Sequence, residues 1–152
     1  MGLFSSGKRY FFSSDENARV VDAIRKAEQT TSGEIRVYIE SRCRFVDPLH
    51  RAEEIFWGLK MDHTVHHNSV LLYVAMKDHQ FSIFADKGIH EKLGNQFWQA
   101  EINKMSRHFR ENHYLEALIL VIDDIGQALH THFPYDPHAD KNELPDEIVF
   151  GR

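Results

Sequence analysis

Hydrophobic positions along the first third of the chain recur at helical spacing. Val20, Val21, Ile24 and Ala27 follow a Ser13-x-x-Glu16 capping box and stop at Thr30-Thr31-Ser32-Gly33, which predicts a helix over about residues 15–30. The period then changes to two: Ile35, Val37 and Ile39 alternate with Arg36, Tyr38 and Glu40, as a strand over 35–40 requires. Pro48 starts a second helix with Leu49, Ala52, Ile55, Phe56 and Leu59 on one side. The apolar run Val70–Met76 is too short for most helices and reads as a central strand. After a turn at Lys77-Asp78-His79-Gln80, Phe81–Ala85 returns beside it as a hairpin. Asp86, Lys87 and Gly88 then lead into a short helical turn that ends near Gly94.

The second half is helical. Trp98, Ile102, Met105 and Phe109 form one stripe, the Arg110–His113 segment breaks it, and Tyr114, Ala117, Leu118, Val121, Ile122, Ile125 and Leu129 form another. A β-α-β crossover, a hairpin and two covering helices make an α/β fold, a three-layer α/β/α sandwich around a small mixed sheet. The expected organisation is a lead-in over 1–13, one domain over 14–133, and an acidic tail over 134–152. That tail either runs over the surface and anchors its closing Ile148-Val149-Phe150, or extends without order.

This topology places particular residues together. A helix between strands 35–40 and 70–76 makes them parallel, so both begin at one rim of the sheet, and the hairpin brings the end of its second strand there too. Glu34, Asn68 and Asp86 are therefore expected to meet, giving two carboxylates and an amide suited to a hard cation such as calcium or magnesium. Gly33 and Gly88 adjoin the acids and allow positive φ and close approach to a ligand. The alternative is that both acids only end strands and cap turns. Asp124, at the edge of the last helical stripe, is a further candidate, as an extra ligand or an ion-pair partner, with Asp123 facing outward. Asp78 belongs to the opposite end of the hairpin, as an Asx-type turn residue bonding its own backbone two residues on.

Composition narrows the partners. The chain has 152 residues, 42% hydrophobic and 27% charged, enough for one core. A formal net charge of -5, with basic residues scattered, gives no field for nucleic acid. No run of about 18 apolar residues suggests a membrane span, the N-terminus lacks the apolar stretch of a signal peptide, and the single Cys43 leaves no internal or disulfide-linked partner to expect. A cytoplasmic location is the default expectation. Gly2 and Ser6 match a myristoylation pattern, which is short enough to arise by chance.

Catalytic signatures are sparse. His63, His66 and His67, and also His130 and His132, offer pairs at ligand spacing with no third ligand in sequence, and read better as surface histidines. There is no nucleophile elbow, Walker loop or dinucleotide fingerprint.

The segments "TSGEIRVYIE", "NSVLLYVAMKDHQFSIFADKGI" and Phe109–Leu118, in that order, resemble the TPM domain family, whose members include thylakoid-lumen and photosystem-associated plant proteins and many bacterial ones. The resemblance runs from the first helix to about Phe133, and "DKNELPDEI" is similar to the compact soluble bacterial branch. It implies an α/β/α fold, divalent-metal binding, commonly calcium, on acids at the sheet rim, and an acid phosphatase activity in plant relatives. The motif positions are Glu34, Asp78 and Asp86. Departures are Ser69 where many members carry glycine, His79 for the usual arginine, and Asp86-Lys87 in place of a glycine-rich strand exit. Two functions follow as expectations. The first is a divalent-cation-binding module with an accessory or protein-interaction role, to which the aromatics of Arg9–Phe12 or Phe56–Gly58 contribute. The second is a small metal-dependent phosphatase acting on phosphomonoesters, with Lys87 and His90 beside Asp86 stabilising charge or moving a proton.

Overall fold

The computed structural model describes residues 12–44, 47–137, 145 and 147–151. Gly2, the stretch Arg9–Phe11 and part of the acidic tail, residues 138–144, 146 and 152, lie outside the described residues. The capping box is real: the Ser13 hydroxyl accepts the Glu16 N–H at 3.1 Å and the Glu16 carboxylate accepts the Ser13 N–H at 2.8 Å, starting α1, Ser14–Glu28. β1 is Glu34–Glu40, and α2, Pro48–Gly58, follows the Asp47 N-cap with proline in its first turn. β2, Ser69–Ala75, pairs parallel with β1, and β3, Gln80–Ala85, pairs antiparallel with β2. Next come α3, Lys87–Arg110, and α4, Tyr114–His132. The last element, β4, Val149–Phe150, pairs parallel with β1, so the sheet order is β3-β2-β1-β4.

Helices cover both faces of the sheet, because alternate strand residues feed two separate cores. Ile35, Val37, Ile39, Val70, Leu72 and Val74 pack with α1, α3 and α4, while Leu71, Tyr73 and Ala75 pack against Ala52, Ile55 and Phe56 of α2. Every residue of β2 is buried, which explains why its sequence lacks alternation. Phe56, proposed above as a surface aromatic, is fully buried, whereas its neighbour Trp57 is half exposed. The short turn expected to end near Gly94 and the Trp98 stripe form one helical element: α3 changes course at Gly94, which at φ 76° is the one left-handed glycine among the described residues.

The carboxyl ends of β1 and β2 are closed by polar side chains. Buried Glu40 receives two bonds from the Arg51 guanidinium, Nε to Oε2 at 2.9 Å and Nη2 to Oε1 at 3.0 Å, and a third from the Tyr73 hydroxyl. This pairing raises the Arg51 pKa, chiefly through the hydrogen bond to Glu40, and burial raises that of Tyr73. Asp78 accepts the Cys43 N–H at 2.7 Å and Arg42 Nη1 at 3.0 Å. It thus ties the hairpin turn to the exit of β1, in place of the expected bond to its own backbone.

Candidate functional site

At the opposite rim the three strands converge as their topology requires. The pairing register sets Glu34 beside Ser69, the Glu34 N–H donates to the Asn68 carbonyl at 3.3 Å, and the Asp86 N–H donates to the Ser69 carbonyl at 2.9 Å. Glu34, Ser69 and Asp86 therefore form one row across three strands, with Asn68 one step beyond it. Glu34 is 3% exposed, Asn68 0% and Asp86 5%. Burying carboxylates to this degree is costly unless they are paired or hydrogen-bonded.

Asp86 is heavily engaged. As the N-cap of α3 its Oδ1 accepts the Lys87 N–H at 2.8 Å, while Oδ2 lies 3.1 Å from His67 Nδ1. A buried strand thus ends on a carboxylate because the next helix starts there and needs a cap. Asn68 is only half satisfied: its Nδ2 donates to Ser32 Oγ at 3.2 Å, but its buried Oδ1 has no hydrogen-bond partner. An unmet oxygen acceptor in a dry site calls for a donor or a cation. Ser69, between the two acids, directs its hydroxyl to the Met61 carbonyl at 2.6 Å.

The two glycines serve the rim differently from the expectation. Neither has positive φ. A Cβ on Gly88 would lie 2.2 Å from the His66 carbonyl oxygen and 2.5 Å from that of His67, and one on Gly33 would meet the Leu129 side chain at 2.6 Å. Each permits close approach to the protein itself, and Gly88 lets the start of α3 rest on the loop that carries His67 and Asn68.

Asp124 does not join this group in its described contacts. It accepts Lys104 Nζ at 2.6 Å beside Glu101, within the α3–α4 packing. Burial, then the Asp124 carboxylate, pushes the Glu101 pKa up to about 7. The histidine pairs disperse as well: His66 lies against the Phe133 ring, His67 serves Asp86, and His130 Nδ1 is 2.8 Å from the Thr30 carbonyl. His67 is the rim residue that sequence reasoning passed over. Its signal was position alone, directly before Asn68, because its left-handed φ of 51° is not a conformation histidine announces.

Lys87 and His90 are exposed and open toward a neighbouring groove. This groove, about 770 Å³, runs along the outer edge of β3 between α2 and α3 and is lined by Leu49, Trp57, Phe84 and Trp98 as well as Asp86. The buried rim and an apolar groove therefore share one side chain, Asp86.

The TPM domain family profile matches residues 8–128. Among solved structures, the chain is similar to the BA42 protein of the psychrophilic bacterium Bizionia argentinensis, with 39% identity and a TM-score of 0.86 over 94% of this chain and 97% of that one. The N-terminal domain of the cg2496 protein of Corynebacterium glutamicum shares the fold at 12% identity and a TM-score of 0.62, covering 85% of this chain and 88% of that one. No protein with a curated description matches. Among the described residues, no helix is long and apolar enough to cross a membrane.

Proposed function

This chain belongs to the TPM domain family, and on that premise we propose that it is a divalent-cation-binding module of calcium or magnesium type, with an accessory role exercised through a protein partner. The observation that carries this reading is the buried Asn68 Oδ1 without a partner, at a rim that also buries Glu34 and Asp86. Carboxylate and amide oxygens are the donors hard cations take, and a bound cation would offset the cost of burying two acids together. Glu34, Asn68 and Asp86 would hold it, with the family resemblance favouring calcium. The half-exposed Leu49 and Trp57 along the adjoining groove suit a partner that docks next to the rim. A cytoplasmic setting accords with the lone, unbridged Cys43.

The test is a calcium and magnesium titration of metal-stripped protein followed by amide NMR, with Asp86→Asn alongside. Asparagine caps a helix about as well as aspartate, so the variant keeps the α3 start and loses only the charge. Saturable shifts centred on Gly33, Asn68 and Asp86, absent from the variant, are the expected result. No saturable response at millimolar metal would sink the reading and leave Asp86 as a helix cap.

A second reading, metal-dependent hydrolysis of phosphomonoesters, is favoured by one feature: exposed Lys87 and His90 line the groove next to Asp86. When bound, the cation would polarise a phosphoryl oxygen and acidify its water. Lys87 would attract the phosphate, and His90 would hold or release a proton at its imidazole. A rate that requires metal and falls in both Lys87→Ala and His90→Ala is the expected sign, and the absence of any metal-dependent rate above background would remove this reading while leaving the cation site standing.

A further inference from the structure

The turn between α3 and α4 gathers a second set of metal-binding groups that no sequence spacing suggested. His108, Glu111 and His113 each offer a donor atom, and these three atoms lie within 4.8 Å of one another. The chain here is Schellman-like. The His113 N–H reaches back to the His108 carbonyl at 2.9 Å, the Asn112 N–H bonds the Phe109 carbonyl at 3.0 Å, and Asn112 takes a left-handed φ of 63°. The positions joined by the first of these bonds, which spans more of the chain, normally make an apolar contact. In this chain both are imidazoles, with ring centroids 6.3 Å apart.

None of the three is committed elsewhere in a way that would oppose ligation. His108 Nδ1 is shielded from solvent and has no hydrogen-bond partner. His113 is the N-cap residue of α4, yet its ring makes no cap bond; it lies 3.6 Å, Nδ1 to Oε1, from Glu111. Arg110, which directly precedes Glu111, is turned back onto Ser106 Oγ at 3.0 Å. The Asn112 amide is held by the Tyr114 hydroxyl, which fixes the turn from outside. The carbonyl end of α3 adds partial negative charge.

Metric fit identifies the class of metal. Tetrahedral zinc with bonds of about 2.0–2.2 Å sets its donors about 3.3–3.6 Å apart. The Glu111–His113 separation already satisfies this, and the 4.8 Å limit on the others is closed by small rotations of two exposed side chains. Two imidazoles and one carboxylate form the His2Glu donor set of zinc sites that keep a fourth position open. Calcium, which takes six to eight oxygens, is poorly served.

We infer that His108, Glu111 and His113 bind a divalent transition metal of zinc type at the α3–α4 turn, separate from the sheet rim. The site lies at the hairpin-turn end of the fold, where the His79 ring meets Tyr114 with centroids 5.9 Å apart.

The experiment is a titration of zinc chloride into metal-stripped full-length protein, read by calorimetry and by the 15N shifts of the histidine rings. The expected result is saturation at one equivalent with ring shifts at His108 and His113. His113→Ala and Glu111→Gln, at exposed positions and verified as folded by their amide spectra, should each bind at least about tenfold more weakly, a loss that even outer-shell changes reach. A His130→Ala/His132→Ala control should bind as the parent does, and calcium should leave the two rings unmoved. Parental affinity in His113→Ala, zinc-induced shifts confined to other histidines, or a Kd no tighter than about 1 mM would each overturn the assignment.

Discussion

Substituting Gly88 by alanine tests whether the start of α3 truly rests on the rim loop. The added methyl would sit 2.2 Å from one backbone oxygen and 2.5 Å from another, where a relaxed carbon–oxygen contact is about 3.3 Å. Because both obstacles are main chain, no side-chain rotation relieves them, and helix and loop must part by about 1 Å. That displacement also strains the Ile89 N–H bond to the His67 carbonyl, already 3.3 Å long. Overpacking costs about 1–3 kcal/mol, and loss of this bond about 0.5–1.5 kcal/mol more. Alanine's higher helix propensity returns at most about 1 kcal/mol. The net expectation is a loss of about 1–3 kcal/mol, or roughly 3–10 °C in Tm for a chain of this length. Gly58→Ala is the internal control: its Cβ meets nothing within 4 Å, and its φ is not positive, so it should gain a few tenths to about 1 kcal/mol. Urea unfolding of both variants, followed by the fluorescence of Trp57 and Trp98, makes the comparison. Equal stability of Gly88→Ala and the parent, at an unchanged m-value, would refute the packing argument.

Arg51→Ala removes both guanidinium bonds from the buried Glu40 carboxylate while the Tyr73 hydroxyl remains, and should cost roughly 2–4 kcal/mol, below the upper end for broken buried pairs because Arg51 retains some exposure. The double change Glu40→Gln/Arg51→Met should recover most of this loss in urea unfolding, and failure to do so would mean that the charge pair itself is required. Glu101 has its folded-state pKa raised from 4.5 to about 7, so the native state binds the extra proton and this group's contribution to stability falls as pH rises between those values. Glu101→Gln should therefore gain on the parent from pH 4.5 to 7, by an amount on the order of 1–3 kcal/mol, with a constant difference above. Parallel stability curves for the two proteins across that range would contradict this account.

What the sequence disclosed, and what it withheld, follows from range. The Ser13–Glu16 cap, the alternation of β1 and the apolar run of β2 are local patterns, and each became the element it predicted. Convergence of Glu34, Asn68 and Asp86 on one rim needed only the crossover and hairpin topology, so it too was legible. Side-chain partners across long separations were not. Asp78 bonds Cys43, which lies 35 positions away, and Asp124 bonds Lys104 across two helices. Periodicity says which face a residue is on, whereas these pairings depend on how helices sit against each other. His67 and Asn112 escaped for another reason, since both hold left-handed backbone conformations without being glycine. The close packing of Gly88 has the same character: its sequence signal was a glycine after a cap, and only the fold reveals the carbonyls it touches.

In open α/β sheets ligands usually gather beyond the carboxyl ends of parallel strands. This molecule has sealed that end of β1 and β2 with its own chemistry. Glu40 is saturated by Arg51 and Tyr73, and Asp78 stitches the hairpin turn to Arg42 and Cys43. The starting rim is arranged otherwise, because the antiparallel return of β3 delivers the N-terminus of α3 there. That helix end carries partial positive charge, which by itself would repel a cation. Asp86 answers it by placing a full negative charge at the cap, and His67 keeps the carboxylate oriented at 3.1 Å. Asn68, whose buried Oδ1 is unmet, follows His67 directly in the loop that fixes this acid in place. At one end of the sheet Glu40 spends its oxygens on the chain's own donors, whereas at the other Asn68 Oδ1 is a buried acceptor with no hydrogen-bond partner among the described residues.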